Sequence, residues 1–284
     1  MARMNMSLHT ALFSAALLAF GCDYVDDPKE GVTPTIPLPN ETVTRNVLLE
    51  DFTGHKCNNC PQANTIAANL IGVYGDRFIA IGIHSGHFAV PEQPLGDGRY
   101  DTDFRTPDGN TYHNTFQPQA YPQGLINRVP FQNSALIGRS NWSSAAALLI
   151  NTPADLKIWY ENLEYSPGNN SATALIKVAV LQPIVGNLNL TALLTEDHVV
   201  DWQLDGSTDI PEYDHKHVLR GAVNSTWGEP LVSSSAAVGD TLETTINFPL
   251  PANVLEPSNC HLVTYVYRTD NREVLQVIEE KLPN

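Results

Sequence analysis

Positive charge is scarce in this chain. Lys and Arg together number 16 against 31 Asp and Glu, for a formal net charge of −15. A polyanion finds no counter-charge on such a surface, which argues against nucleic acid as a partner, and anionic lipid headgroups would not attract it either. Long apolar runs are also scarce. The N-terminal run Ala11–Phe20 is too short to span a bilayer, and no later segment is apolar enough to cross as a helix. The middle of the chain reads as helices and loops, not as the evenly spaced amphipathic strands that a membrane barrel requires. Cysteine is the third shortage, with only Cys22, Cys57, Cys60 and Cys260 in 284 residues. With 42% hydrophobic residues there is still room for two modest cores.

The N-terminus has the layout of an export signal: Arg3, the apolar run, then Gly21-Cys22. A small residue directly before a cysteine at the end of such a run resembles a lipobox, which implies cleavage after residue 21 and lipidation of Cys22. Phe20 departs from the small residue usual at its position, and an ordinary secretory signal with an incidental cysteine is the alternative. Residues 22–44 follow as a tether. They carry Asp23, Asp26 and Asp27 and then Pro28, Pro34, Pro37 and Pro39, a composition that cannot bury a core and acts as a semi-rigid spacer. The acidic cluster resembles the surface-export signal of some Gram-negative lipoproteins; a plain solvated linker is the alternative. Because the net charge is strongly negative, membrane attachment would rest on the lipid.

Chemistry concentrates in Cys57-Asn58-Asn59-Cys60, which follows the apolar run Val47–Phe52 and the turn residue Gly54 and is followed by Pro61. The second cysteine opens a segment with Ala63, Ile66, Ala67, Leu70 and Tyr74 on one helical face, so the thiols sit at a strand-to-helix turn. Free N–H groups and the positive end of a helix dipole stabilise a thiolate there. His55 and Lys56 are expected to add to that field.

From Arg45 to Asn151 the elements alternate. A strand over 46–52, a helix over 60–74 and a strand over 78–83 form a βαβ unit with a parallel pair. A Pro-led strand over 121–128 and a helix around 140–150 follow. This order resembles a thioredoxin fold, in which a cis-proline begins the third strand and packs against the active-site sulfurs; Pro122, after Tyr121, is the position that matches. A trans loop proline is the alternative. Between them, residues 85–119 form a long insertion rich in His, aromatic and Asp residues. A connection of that length is expected to contain short helices and to serve as a wall of the cysteine site. Asp101, Asp103, Asp108 and Asn110 within it lack EF-hand spacing and read as a polar loop.

From residue 152 onward the period changes to two, as in Ile176, Val178 and Val180 or Leu188, Leu190, Ala192 and Leu194, with turn signals such as Pro167-Gly168-Asn169 between the runs. About seven short strands at such spacing predict an antiparallel β-sandwich over 152–284, immunoglobulin-like in general shape, whose surface is a candidate binding face. Cys260 falls inside one strand pattern as a small buried hydrophobe. His215-Lys216-His217 could hold a metal with Asp214 or His198, but surface histidines near a strand start are the commoner case.

Taken together, the lipobox-like start, Glu50-Asp51-Phe52-Thr53-Gly54 leading into the cysteine pair and Pro61, the Tyr121–Arg128 segment and His217-Val218-Leu219-Arg220 resemble the outer-membrane lipoprotein family named for a 28-kilodalton member. The resemblance implies a lipid-anchored envelope protein, on the periplasmic or cell-surface side, with a thioredoxin-like domain over 45–151 and a β-rich one over 152–284. Two functions remain open. In the first, the chain exchanges disulfides with protein thiol substrates: Cys57, the more exposed sulfur, attacks, Cys60 resolves, Pro122 aligns the substrate, and His55, Lys56 and Tyr121 face it. In the second, Cys57–Cys60 is a structural disulfide in a binding or adhesin-type lipoprotein with a protein or glycan ligand. A third arrangement, zinc held by Cys57, Cys60, His84 and His87, has suitable ligand types, but oxidising surroundings favour a disulfide, and no cofactor is expected.

Overall fold

Nine strands from both halves of the chain form one mixed sheet, and this sheet organises everything else. The structure is a computed structural model, and it describes residues 43–92 and 97–283; the expected signal segment, Cys22 and the tether up to residue 42 lie outside the described residues. The first elements are β1 (Val47–Thr53), α1 (Cys60–Tyr74), β2 (Phe78–His84), α2 (Pro107–Phe116), β3 (Gln123–Ile126), β4 (Leu136–Gly138) and α3 (Trp142–Leu149). The boundaries of β1, α1, β2, β3 and α3 follow the sequence reading within one or two residues, because apolar periodicity and turn residues agree there; α2 falls where short helices were expected without bounds, and β4 was not expected. β1 is buried along its whole length, as expected of a central strand covered on both faces. It pairs parallel with β2 and antiparallel with β3, and β3 pairs antiparallel with β4.

The second half contributes β5 (Leu156–Ser166), β6 (Ser171–Val180), β7 (Ile184–Val185), β8 (Leu188–Glu196), β9 (Val199–Asp205), β10 (Thr208–His215), β11 (Val218–Ala222), β12 (Glu229–Val232), β13 (Ser235–Ala236), β14 (Thr241–Pro249), β15 (Cys260–Arg268) and β16 (Val274–Lys281). This is a β-rich protein with few helices. The main sheet runs β16-β15-β8-β11-β2-β1-β3-β4, with β12 also on β8. Its two halves join where β11 meets β2 in parallel at Val218 and Gly82 and Gly82 N–H donates to His217 O at 2.7 Å. A separate three-stranded sheet, β14-β6-β5, packs over β8 and β15. Alternate residues of both sheets, such as Ile176 and Val178 against Leu190 and Leu262, fill the space between them.

Period-two alternation sorts the remaining core by face. On β1, Val47 and Leu49 point toward α1 and α3, among Ala63, Ala67, Trp142 and Ala146. Leu48 and Phe52 point the other way, with Ile81, Tyr112 of α2, Val263 and Tyr265. Glu50 lies on this second face, fully buried, in a two-pronged ion pair with Arg128 at 2.7 Å for both contacts. Arg128 also donates to Tyr265 Oη at 2.9 Å, and its guanidinium lies within 6 Å of the rings of Tyr112, Phe116, Trp227 and Tyr267. Cys260 is buried, as its strand pattern suggested, and burial pushes its thiol up to about 12.

Candidate functional site

β1 ends at Thr53, and the next six residues turn into α1. Gly54 permits the turn: a Cβ there would lie 2.5 Å from the main-chain carbon and oxygen of Phe88, so the insertion lies directly against the turn. Phe88 O accepts Lys56 N–H at 3.0 Å. Cys57 N–H then donates to Gly54 O, and Cys60 N–H to Cys57 O, which brings the two cysteines to a Cα separation of 5.4 Å, where they are joined as a disulfide. α1 begins at Cys60 with Pro61 in its first turn, a position where the missing N–H costs nothing.

Pro122 follows a cis peptide bond from Tyr121. In the β1–β3 register Phe52 faces Gln123, so Pro122 comes level with Thr53, just where the chain leaves the sheet for the cysteine turn. Tyr121 packs on Phe88 with ring centres 5.5 Å apart, and its hydroxyl lies 2.9 Å from His113 Nδ1. The described residues of 85–119 thus lie beside the cysteine turn, as expected of a wall, with a short 3-10 turn at His87–Ala89 and α2 inside them. Their acidic residues are dispersed. Asp103 pairs with Arg105, and Asp108 accepts Ala222 N–H at 2.9 Å.

Three expectations are corrected here. Cys57, expected to be the more exposed cysteine, is buried as Cys60 is, at 1% and 0% exposure, although Asn58 and Asn59 between them are exposed. His55 does not add positive charge. It is buried among Tyr100 and Phe104, and that desolvation lowers its pKa to about 4, leaving the ring neutral at pH 7. Nor is His215 a surface residue; it is buried, with burial again lowering it to about 4, and it packs on His84 at 5.6 Å and Phe104 at 5.1 Å. His55, His84 and His215 therefore form a cluster of uncharged imidazoles around Phe104. Lys56 remains near the surface, 3.8 Å from Glu92. Among the described residues no group of three or more His, Cys, Asp or Glu is arranged to hold a metal ion.

One candidate site residue escaped the sequence reading. Asp51 lies on the β1 face covered by α1, is almost fully buried, and its Oδ1 has no hydrogen-bond partner. Burial raises its pKa to about 8. It borders a cavity of about 230 Å³ whose other walls include Leu49, Asn64, Ala67, Ala80 and Tyr213. The signal was partial: two adjacent acids on an apolar strand must each be answered or left alone, and Arg128 answers Glu50, while nothing bonds Asp51 Oδ1.

The profile of the family described as outer membrane protein Omp28 matches residues 109–284. The chain belongs to the Omp28 family. This Omp28 protein is accordingly a protein of the outer membrane, and among its described residues no helix is long and apolar enough to cross a membrane. Among solved structures, HBP35 of Porphyromonas gingivalis is similar over 84% of this chain and 76% of its own, at 17% identity and a TM-score of 0.62. Protein AGR_C_4864 from Agrobacterium tumefaciens is similar over 86% of this chain and 97% of its own, at 10% identity and a TM-score of 0.50. Identities that low speak for a common fold alone. A domain of the outer membrane lipoprotein Omp28 from Porphyromonas gingivalis shares 23% identity, covering 45% of this chain and 88% of that one, with a TM-score of 0.31. No curated protein matches this chain closely enough to count as a relative.

Proposed function

We propose that this Omp28-family protein is held in the outer membrane by lipid on Cys22 and exchanges disulfides with protein substrates through Cys57 and Cys60. The observation that carries the reading is a bridged CxxC pair at the start of α1 with a buried, partnerless acid on the strand beneath that helix. The strand order β2-β1-β3-β4, with a cis-proline leading into β3, supports a thioredoxin-like body over 45–151. The facing antiparallel sheets of 152–284 support an immunoglobulin-like one. In the reduced pair, the Cys57 thiolate attacks a substrate disulfide; one substrate sulfur leaves as thiolate and a mixed disulfide forms. Asp51, in the carboxylate form that is its minor one at neutral pH, takes the proton of Cys60, whose thiolate attacks Cys57 Sγ and expels the second substrate sulfur. Two electrons have then passed from the pair to the substrate, and the product is the bridged state. An envelope dithiol would restore the reduced pair. Pro122 and Tyr121 border the turn and align the incoming strand, and Lys56 is the cation nearest to it.

The test is a Cys60→Ser variant, which cannot resolve the mixed disulfide: covalent adducts with envelope proteins should accumulate and disappear with Cys57→Ser. Absence of adducts, together with no insulin reduction by the unaltered protein, rejects the proposal.

A second reading is favoured by the burial of both sulfurs. Here the disulfide is a staple, and the β-rich half binds a protein or glycan at the cell surface. A Cys57→Ser/Cys60→Ser variant that folds and retains ligand in pull-downs would support it.

A further inference from the structure

One side of the cysteine turn is bonded to a piece of the other half of the chain, while Asn58 and Asn59 stay exposed. Between β8 and β11, neighbours in the main sheet, the chain runs out and back as β9 and β10, a ribbon that pairs only with itself. Both of its ends are non-glycine residues in the left-handed region: His198 at φ 58° and His217 at φ 55°. Such residues persist only where neighbours hold them. His198 Nδ1 lies 3.1 Å from Asp214 Oδ2, and Asp197 Oδ1 accepts His217 N–H at 2.6 Å.

The ribbon meets the turn through main-chain bonds. Leu204 N–H donates to His55 O at 2.8 Å and Gly206 N–H to Asn58 O at 2.9 Å, while Gln203 Nε2 donates to Cys57 O at 3.1 Å. Farther out, Asn64 donates to Tyr213 Oη at 2.9 Å, and Asp209 accepts from Arg99 at 3.0 Å and Tyr100 at 2.6 Å. These latches are polar; the apolar and ring contacts of the ribbon are Val199 with Phe104 and His215 with Phe104 and His84, next to the hinges, and Trp202 with Tyr100 at 6.3 Å. Along the ribbon only Val199, Gln203 and His215 are buried. A two-stranded ribbon is marginal by itself, and each neutral hydrogen bond adds only about 1 kcal/mol, so lifting it belongs to the low-energy end of local opening.

We infer that β9–β10 is a flap over the Cys57–Cys60 disulfide that hinges at His198 and His217, screens the sulfurs from thiols in solution when closed, and gives up its place along His55–Asn58 to an extended substrate strand when open. The inference rests on the disulfide-exchange reading of the same cysteines. The carbonyls of His55, Cys57 and Asn58 lose their donors when the flap lifts, and the N–H groups of an extended polypeptide are the natural replacement. The substrate is thus a protein disulfide presented on an extended segment.

The test combines two readouts on the full chain. Hydrogen exchange followed by mass spectrometry compares the peptide 199–207 with the core strand 47–53. Reduction of the disulfide is followed with dithiothreitol: its thiolate attacks Cys57 Sγ, Cys60 leaves as thiolate, and the second dithiothreitol sulfur closes the ring and frees Cys57. The flap peptide should exchange at least about tenfold faster than β1, the ratio expected for local as against global opening. Gln203→Ala/Tyr213→Phe, which removes two latches, should accelerate reduction about tenfold or more, in line with roughly 1 kcal/mol per bond. Asp209→Asn, at the far end of the ribbon, repeats the test if the double variant fails to fold. Exchange of 199–207 as slow as that of β1, or reduction equally fast with and without the latches, overturns the flap. Faster exchange of 199–207 in the variant with a disulfide that dithiothreitol never reduces upholds the flap and removes the exchange reading.

Discussion

Asp51 is the residue whose environment most contradicts its chemistry. An ordinary aspartate ionises near pH 3.8, but burial under α1 with no partner on Oδ1 raises this one to about 8. A carboxyl whose folded pKa is raised destabilises the fold wherever the unfolded chain can ionise and the folded one cannot, from about pH 3.8 up to about pH 8. At pH 7 the cost is on the order of 4 kcal/mol. Asp51→Asn should therefore raise the urea midpoint at pH 7, and the gain should shrink to nothing near pH 4. On the disulfide-exchange proposal the same variant should also slow adduct resolution, because Asp51 is there the acceptor of the Cys60 proton. A destabilised Asp51→Asn protein at pH 7 would mean that the carboxyl has a partner in solution.

At the scale of elements, the cysteine turn, the end of β2 and the end of β10 converge on three uncharged imidazoles. His55 faces Lys56, Asp103 and Asp201; His84 faces Arg220 and the other two histidines; His215 faces Asp201, Asp214 and the Trp202 carbonyl. Desolvation dominates in all three, so their folded pKa values lie below 6.5, at about 4 for His55 and His215. The sign is opposite to that of Asp51. As pH falls below 6.5, the unfolded chain takes up protons that the folded cluster refuses, and stability is lost down to about pH 4, by about 3 kcal/mol for each of His55 and His215. Denaturant titrations on an Asp51→Asn background, where the opposing carboxyl is gone, should show the fall directly. Replacing His215 by Phe should flatten it; an unchanged pH profile would place the acid sensitivity elsewhere.

On the scale of the whole molecule, one sheet carries residues from both halves of the chain, and the Glu50–Arg128 pair is bound into it. Tyr265 of β15 meets Arg128, and Val274 N–H donates to Asn127 O at 3.0 Å. Removing one member of a buried ion pair strands the other, at a cost of about 3–5 kcal/mol. Glu50→Gln should therefore lower the stability of β1 and of β15 together, in one transition seen by both Trp142 and Trp227 fluorescence after the other tryptophans are replaced. Two separate transitions would show that the halves unfold independently.

Local patterns determined a good deal by themselves. The bounds of β1, α1, β2 and α3, the place of the two cysteines at a helix start and the buried state of Cys260 all followed from periodicity, turn residues and spacing, which act over a few residues. The family was legible in short motifs whose combination is specific. What tertiary structure alone decided depends on contacts between residues far apart in the chain. β9 of the β9–β10 ribbon joins the cysteine turn across 146 positions by hydrogen bonding to main-chain carbonyls, which every residue type offers and which leave no mark in the sequence. Desolvation by the same ribbon and by the 85–119 wall neutralises His55 and His215. Lifting Asp51 to about 8 likewise required α1 above it, since a side chain's proton affinity is set by everything packed around it.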